Sequence, residues 1–164
     1  MASSTTDAYL PAGLPAPAPS IDGLDDEFWS AAKRNELVVQ KCNSCGNFQS
    51  TEWICYKCHS FDLGWAKVSG NGKIFSWERI WHPVHPALKD ACPYVAVLVE
   101  LPDAGNVRLV GNLLGDPREP VVIGSDVEAV FEHHGTAIEV VNDLETNMPS
   151  AAGNEYTLVQ WKRA

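Results

Sequence analysis

The sequence predicts a mostly-β protein: an N-terminal helix, then a four-cysteine zinc ribbon, then a small antiparallel barrel. Three observations carry the prediction. Two Cys-x-x-Cys pairs stand close together in "QKCNSCGNFQSTEWICYKCHS", residues 40–60. After them the apolar residues alternate or cluster in short runs, punctuated by Gly, Pro and Asn. Before them, one stretch carries apolar residues at helical spacing. With 164 residues, 45% hydrophobic and 20% charged, the chain suits one ordinary domain or a small module joined to a medium one.

Residues 1–21 form the first unit. They are rich in Ala, Pro, Ser and Thr, with Pro11, Pro15, Pro17 and Pro19 closely spaced, and they read as a flexible or extended arm. The stretch lacks the basic and apolar regions of a secretory signal and contains no Arg. No run approaches the roughly 18 to 20 apolar residues that span a bilayer. The expected setting is cytoplasmic, without membrane contact.

The second unit, residues 22–64, begins with the predicted helix, about Leu24 to Leu37. Asp22 or Asp25 is positioned to cap it, Asp26 and Glu27 suit its first turn, and Lys33 and Arg34 suit its end. Leu24, Phe28, Ala31 and Ala32 share a face, with Trp29 beside them.

The cysteines follow. Cys42 and Cys45 are two residues apart, as are Cys55 and Cys58, which lets each pair turn both thiolates toward one ion. Two such knuckles complete a tetrahedron, so zinc with no open position is expected to be structural. A thioredoxin-type redox pair would need a βαβ setting that the sequence does not offer. Leu37–Gln40 and Trp53–Ile54 are predicted as short strands entering the knuckles. Gly46 suits the positive-φ place after the first pair; His59 takes the equivalent place at the second and is an alternative nitrogen ligand.

The third unit, residues 65–164, is predicted as the barrel with a C-terminal extension. "LGWAKVS" and "KIFSWERIW" flank "GNG" as a hairpin or one bent strand. "PYVAVLVEL" and "NVRLVGNLL" follow, with Gly111 expected at a bend or bulge. "DVEAVFEHH" alternates, placing Val127, Ala129, Phe131 and His133 on one face, and "EYTLVQWK" closes the chain.

Net charge is −9, and no Lys or Arg occurs between Glu119 and Trp161. Nucleic-acid binding draws its affinity from cations that displace counterions, so this distribution counts against it. A ribbon-plus-barrel module for single-stranded nucleic acid remains the alternative reading, since its aromatics are present and its cations are not. No catalytic constellation is legible. Cys92 with His82 or His85 is the nearest approach to a thiol and base, and a buried free thiol is the expected state.

Taken in order, these features resemble a known family. "FW" at Phe28–Trp29, both cysteine pairs, "SFDLGW" from Ser60, "SGNGKIFSW" from Ser69 and "HPVHPAL" from His82 are similar to the domain-of-unknown-function 35 family. The resemblance runs from about Asp22 to Phe131. It implies a rubredoxin-like zinc ribbon and an OB-fold barrel. It also implies an accessory subunit, not catalytic alone, of an acyl-CoA enzyme complex. The implied partner is a thiolase-superfamily protein (a thiolase, acyltransferase or steroid-type retro-aldolase), with a heterotetramer expected. The barrel would help channel a CoA thioester shared with that partner. Residues 134–164 exceed the expected length, and their role stays open.

Site candidates follow from both readings. Cys42, Cys45, Cys55 and Cys58 are the metal ligands. The stiff His-Pro loop supplies His82 and His85 as channel candidates, with Arg79 and Lys89 as cations for CoA phosphates. Phe28 and Trp29 are the partner-docking candidates.

Overall fold

The chain passes from one sheet to another at Gly70. In the computed structural model, which describes residues 3–5, 8–17, 19–135 and 155–164, Gly70 adopts φ +81° and accepts a hydrogen bond from the Ala129 N–H at 2.8 Å. Strand β4 (Leu63–Lys67) lies before this turn and belongs to the ribbon; β5 (Asn71–Ile80) lies after it and belongs to the barrel. The expected hairpin or single bent strand across "GNG" is therefore corrected, because the positive-φ glycine redirects the chain before β5 begins.

The ribbon sheet has the order β3-β2-β4, with β2 spanning Val38–Cys42 and β3 Phe48–Gln49. Trp53–Ile54, expected to be a strand, is bend rather than strand. Helix α1 spans Asp26–Lys33 only. It stops because Asn35 takes φ 60°, a left-handed conformation that ends a helix, and the Asn35 side chain pairs with His133 Nε2 at 2.7 Å. Asp25 holds the N-cap position, but its side chain makes no capping bond. Asp25 accepts instead from Ser20 N–H and Trp29 Nε1, and Asp22 from Leu24 N–H.

The barrel is built from β5, β6 (Tyr94–Leu101), β7 (Val107–Asn112), β8 (Asp126–His134) and β9 (Tyr156–Arg163). Neighbours pair antiparallel in the order β9-β8-β5-β6-β7. Closure comes from a bridge between Leu113 and Trp161, where Leu114 N–H donates to the Trp161 carbonyl at 2.7 Å. A short strand β1 (Ser3–Thr5) runs parallel to β8.

Gly111 marks no bulge, since β7 keeps its register with β6 through the Val97–Gly111 pair. The register shift falls in β5 between Ile74 and Ser76, whereas Gly111 lies where β7 crosses β9. A Cβ there would stand 2.7 Å from the Val159 carbonyl oxygen and 2.9 Å from the Trp161 ring. Only a bare α-carbon admits that approach.

Strand β6 alternates strictly, burying Val95, Val97, Val99 and Leu101. These meet Ile74, Phe131 and Trp161 in the barrel and Ala32, Leu37 and Val39 from helix and ribbon, with Phe28 packed against the cluster. One core thus joins both modules. The C-terminal stretch earns its place here: Trp161 is fully buried, so β9 is part of the barrel, while residues 136–154 lie outside the described residues. Among the described residues, no helix is long and apolar enough to cross a membrane.

Candidate functional site

Each cysteine pair sits in the same hydrogen-bonded turn. At the first knuckle Cys42 N–H donates to the Asn47 carbonyl at 2.8 Å, and Gly46 N–H returns to the Cys42 carbonyl at 2.9 Å. At the second, Cys55 N–H donates to the Ser60 carbonyl at 2.9 Å, and His59 N–H returns to the Cys55 carbonyl at 2.8 Å. Gly46 and His59 occupy equivalent places at φ 73° and 60°. The histidine therefore contributes its backbone to the turn, and its side chain is exposed and outside the ligand cluster.

The two knuckles are pinned together at their rims. Ser44 Oγ and Ser60 Oγ are 2.8 Å apart, and Asn43 Nδ2 donates to Asp62 Oδ1 at 2.8 Å. Behind them two buried glutamines order the connecting loop. Gln40 Nε2 donates to the Glu52 carbonyl, and Gln49 Nε2 donates to the Ile54 carbonyl.

This framework brings the sulfurs of Cys42, Cys45, Cys55 and Cys58 within 4.8 Å of one another. The Cys42–Cys58 and Cys45–Cys55 sulfurs are 3.6 and 3.7 Å apart. Zinc–sulfur bonds of about 2.3 Å place tetrahedral neighbours about 3.8 Å apart, so the donor set fits zinc without rearrangement. A disulfide would require about 2.05 Å.

As thiols, Cys55 and Cys58 do not titrate alike. Burial raises Cys55, but the amides of Cys58 and Lys57 and the neighbouring thiols bring it down to about 6. The Ser60 amide lowers Cys58, yet the Cys45 thiol, burial, Cys42 and Cys55 push it up to about 12. Several thiolates at this spacing need a cation between them. With four protein ligands and no open position, the metal supplies folding energy rather than chemistry.

The His-Pro loop is anchored at one end by buried Leu88. His85 is half-buried, and its Nδ1 accepts from Ala87 N–H at 3.2 Å, capping the short turn Pro86–Leu88. His82 and Lys89 are exposed. Arg79 sits 5.3 Å over the Trp77 ring and donates Nη2 to the Glu119 carbonyl at 2.7 Å. Among the described residues, no hydrogen bond or ion pair joins Arg79, His82, His85 and Lys89. Arg108 is likewise engaged, stacked over Phe75 and paired with Glu100.

Phe28 and Trp29 are both half-buried, edge to face at 5.4 Å between ring centres. They line a shallow groove with Ser20, Leu24, Thr51 and Leu109. Phe28 leans on the core, so it holds the helix in place whatever else it does. Sequence reasoning passed over the more exposed aromatics. Trp53, Tyr56 and Phe61 are 57%, 67% and 76% exposed around the second knuckle. The signal was their interleaving with cysteines: a loop clipped by metal has no core in which to hide them.

Comparison with known proteins agrees with this architecture. The family model described as the ChsH2 rubredoxin-like zinc ribbon domain matches residues 29–64, and the ChsH2 C-terminal OB-fold domain matches residues 65–132. A "DUF35 domain-containing scaffold protein" of Methanocaldococcus jannaschii is 37% identical over 58% of this chain and 67% of its own length. The protein of the same name from Methanothermobacter thermautotrophicus is 35% identical over 60% and 74%. A "probable enoyl-CoA hydratase alpha subunit" of Thermomonospora curvata is 38% identical over 68% of this chain, which spans only 34% of that relative. Among solved structures, an "Ltp2-ChsH2(DUF35) aldolase" chain superposes with TM-score 0.66 at 28% identity, covering 89% of this chain and 98% of that one. A DUF35 protein of Sulfolobus solfataricus shares the fold, at TM-score 0.50 and 19% identity over 63% of this chain and 75% of its own. Ribbon, barrel and relatives agree: the chain belongs to the DUF35 family of paired zinc-ribbon and OB-fold proteins.

Proposed function

We propose that this protein is the non-catalytic, zinc-clipped subunit of a complex whose partner is a thiolase-superfamily enzyme acting on an acyl-CoA. The observation that carries the reading is the near-complete superposition on the DUF35 chain of an Ltp2-ChsH2 aldolase, 98% of which is covered. The scaffold names of the archaeal relatives support a partner-holding role, and the hydratase-subunit name supports a CoA thioester as the shared ligand. The aromatics Trp53, Tyr56 and Phe61 on the ribbon, with Phe28 and Trp29 on the helix, are the docking surface. Aromatic side chains carry much of the energy of protein interfaces. The loop from His82 to Cys92, with Arg79 and Lys89, then borders the thioester at the partner's mouth. The complex is a heterotetramer in this reading, and the retro-aldol class is favoured by the solved relative's name.

The test is co-purification followed by kinetics. The protein alone should neither cleave nor form acyl-CoA thioesters, and it should raise the activity or stability of a co-purifying thiolase-like partner. Turnover by the isolated chain at an enzyme's ordinary rate, about 1 per second or more, would remove the accessory reading.

A further inference from the structure

The outer face of β8 and β9 holds a buried polar group that the partner-subunit reading does not use. Glu132 is 1% exposed. Its Oε1 lies 2.6 Å from His134 Nε2, and its Oε2 accepts from Gln160 Nε2 at 3.3 Å. Gln160 Oε1 is in turn fixed by the Asn112 N–H at 2.7 Å. The His134 ring stacks on Tyr156 with centroids 4.4 Å apart and planes 7° from parallel. Burial first, and the Glu132 charge second, raise the Tyr156 phenol above its ordinary pKa.

These side chains form one wall of a cavity of about 320 Å³. The opposite wall is the N-terminal arm, which contributes Leu10, Leu14 and Pro15, while Leu158 supplies an apolar patch beside the polar one. The volume falls at the lower end of the range of small-molecule sites, about 300–1,000 Å³.

A roof needing only shape would be served by apolar residues at these strand positions, because burying a carboxylate is costly unless it is paired. Glu132 is paired twice, and a carboxylate offers about four acceptor sites, so acceptor capacity is left over at a residue that lines the cavity. An apolar cleft with a few convergent polar groups is the ordinary form of a ligand site.

We infer that this arm-roofed cavity binds a small apolar molecule whose head is a hydrogen-bond donor, an alcohol or an amine, received by the Glu132–His134 pair. The apolar chain lies along Leu10, Leu14, Pro15 and Leu158. An anionic head is rejected by the Glu132 carboxylate. The site is separate from the metal centre, and its existence does not depend on the partner proposed above.

The experiment titrates the full-length, zinc-loaded protein with octanol, octylamine and octanoate, read by calorimetry and by the ring-proton resonances of His134. Saturable binding of octanol or octylamine, with a shifted His134 resonance and no binding of octanoate, is expected. Leu158→Trp, which fills the cavity, should abolish binding while leaving zinc content unchanged. Glu132→Gln should weaken binding of octylamine by about tenfold or more, the scale of losing a hydrogen bond to a charged group. If Glu132→Gln does not fold, the His134 resonances of the unaltered protein still decide. No saturable binding of either donor-headed ligand overturns the inference. So does octanoate binding as tightly, an unmoved His134 resonance, or binding that survives Leu158→Trp.

Discussion

Gln49 donates its side-chain amide to Gln40 Oε1 at 2.8 Å, with both side chains buried between the two sheet strands that lead into the knuckles. The same Gln40 oxygen accepts from Glu52 N–H at 3.1 Å, so two strands and a loop converge on one atom. Gln49→Leu leaves the Glu52 bond to Gln40 in place but should strand the Ile54 carbonyl and the Tyr56 N–H, which the Gln49 side chain also holds. It should cost about 1–3 kcal/mol of stability, the penalty for a buried polar atom without a partner. Chemical denaturation of the zinc-loaded protein measures it, alongside the rate of zinc transfer to a chelator, which should rise. Unchanged stability would mean that water replaces the amide there.

Metal content is the second expectation. Purified protein should carry about one zinc per chain, worth on the order of 10 kcal/mol of folding free energy. Cys42→Ser or Cys58→Ser should lose zinc and solubility together. Affinity should also fall as pH falls, since protons compete for thiolates that the metal needs. Full zinc occupancy in a Cys55/Cys58 double mutant would defeat the four-cysteine assignment.

Two glycines separate steric from backbone demands. Gly111→Ala drives a methyl into the Val159 carbonyl and Trp161 ring, and overpacking of this kind costs about 1–3 kcal/mol. Gly46→Ala meets nothing within 4 Å, so its loss of about 1–2 kcal/mol comes from the left-handed backbone alone. By the same argument His59→Gly should stabilise the second knuckle. Thermal unfolding of the three variants ranks them.

Mutation can tell apart the two surfaces proposed for docking. Phe28→Ala should lower stability because Phe28 packs on the core, whereas Trp53→Ala and Tyr56→Ala should leave stability near the parent's. If the ribbon is an anchor, the latter two should weaken partner association by about 2 kcal/mol each. Trp29→Ala should do likewise if the helix shares the interface. Shortening the loop from His82 to Cys92 should spare association and lower the activity of the complex. Pull-down and steady-state kinetics decide; normal binding by Trp53→Ala and Tyr56→Ala would move the interface elsewhere.

The metal centre was legible in the sequence because Cys-x-x-Cys spacing constrains geometry locally, and the structure brings those four sulfurs together. Strand β6 was equally legible, since its run of apolar residues has one reading in a β setting. The helix end was not, because a left-handed Asn35 held by His133 is a contact across 98 positions of chain. The split at Gly70 escaped for a related reason: both flanking strands look alike until each finds its own sheet. Buried glutamines and the Glu132–His134 pair were invisible, since periodicity assigns a polar residue to solvent. The exposure of Trp53 and Tyr56 is not legible in the sequence either, because a short loop between cysteines carries no periodicity that assigns its aromatics to a face.

The short strand β1 has a consequence for solubility. Strand β8 pairs with β5 only from Asp126 to Glu128, because β5 begins at Asn71, opposite Glu128. Beyond that point Ser3–Thr5 takes over, in register with Val130–Glu132. The N-terminal segment thereby covers a stretch of open sheet margin that would otherwise present unpaired amides and carbonyls to another molecule. Such margins are templates for self-association. The segment that reads as a loose arm thus leaves this stretch of β8 paired rather than open.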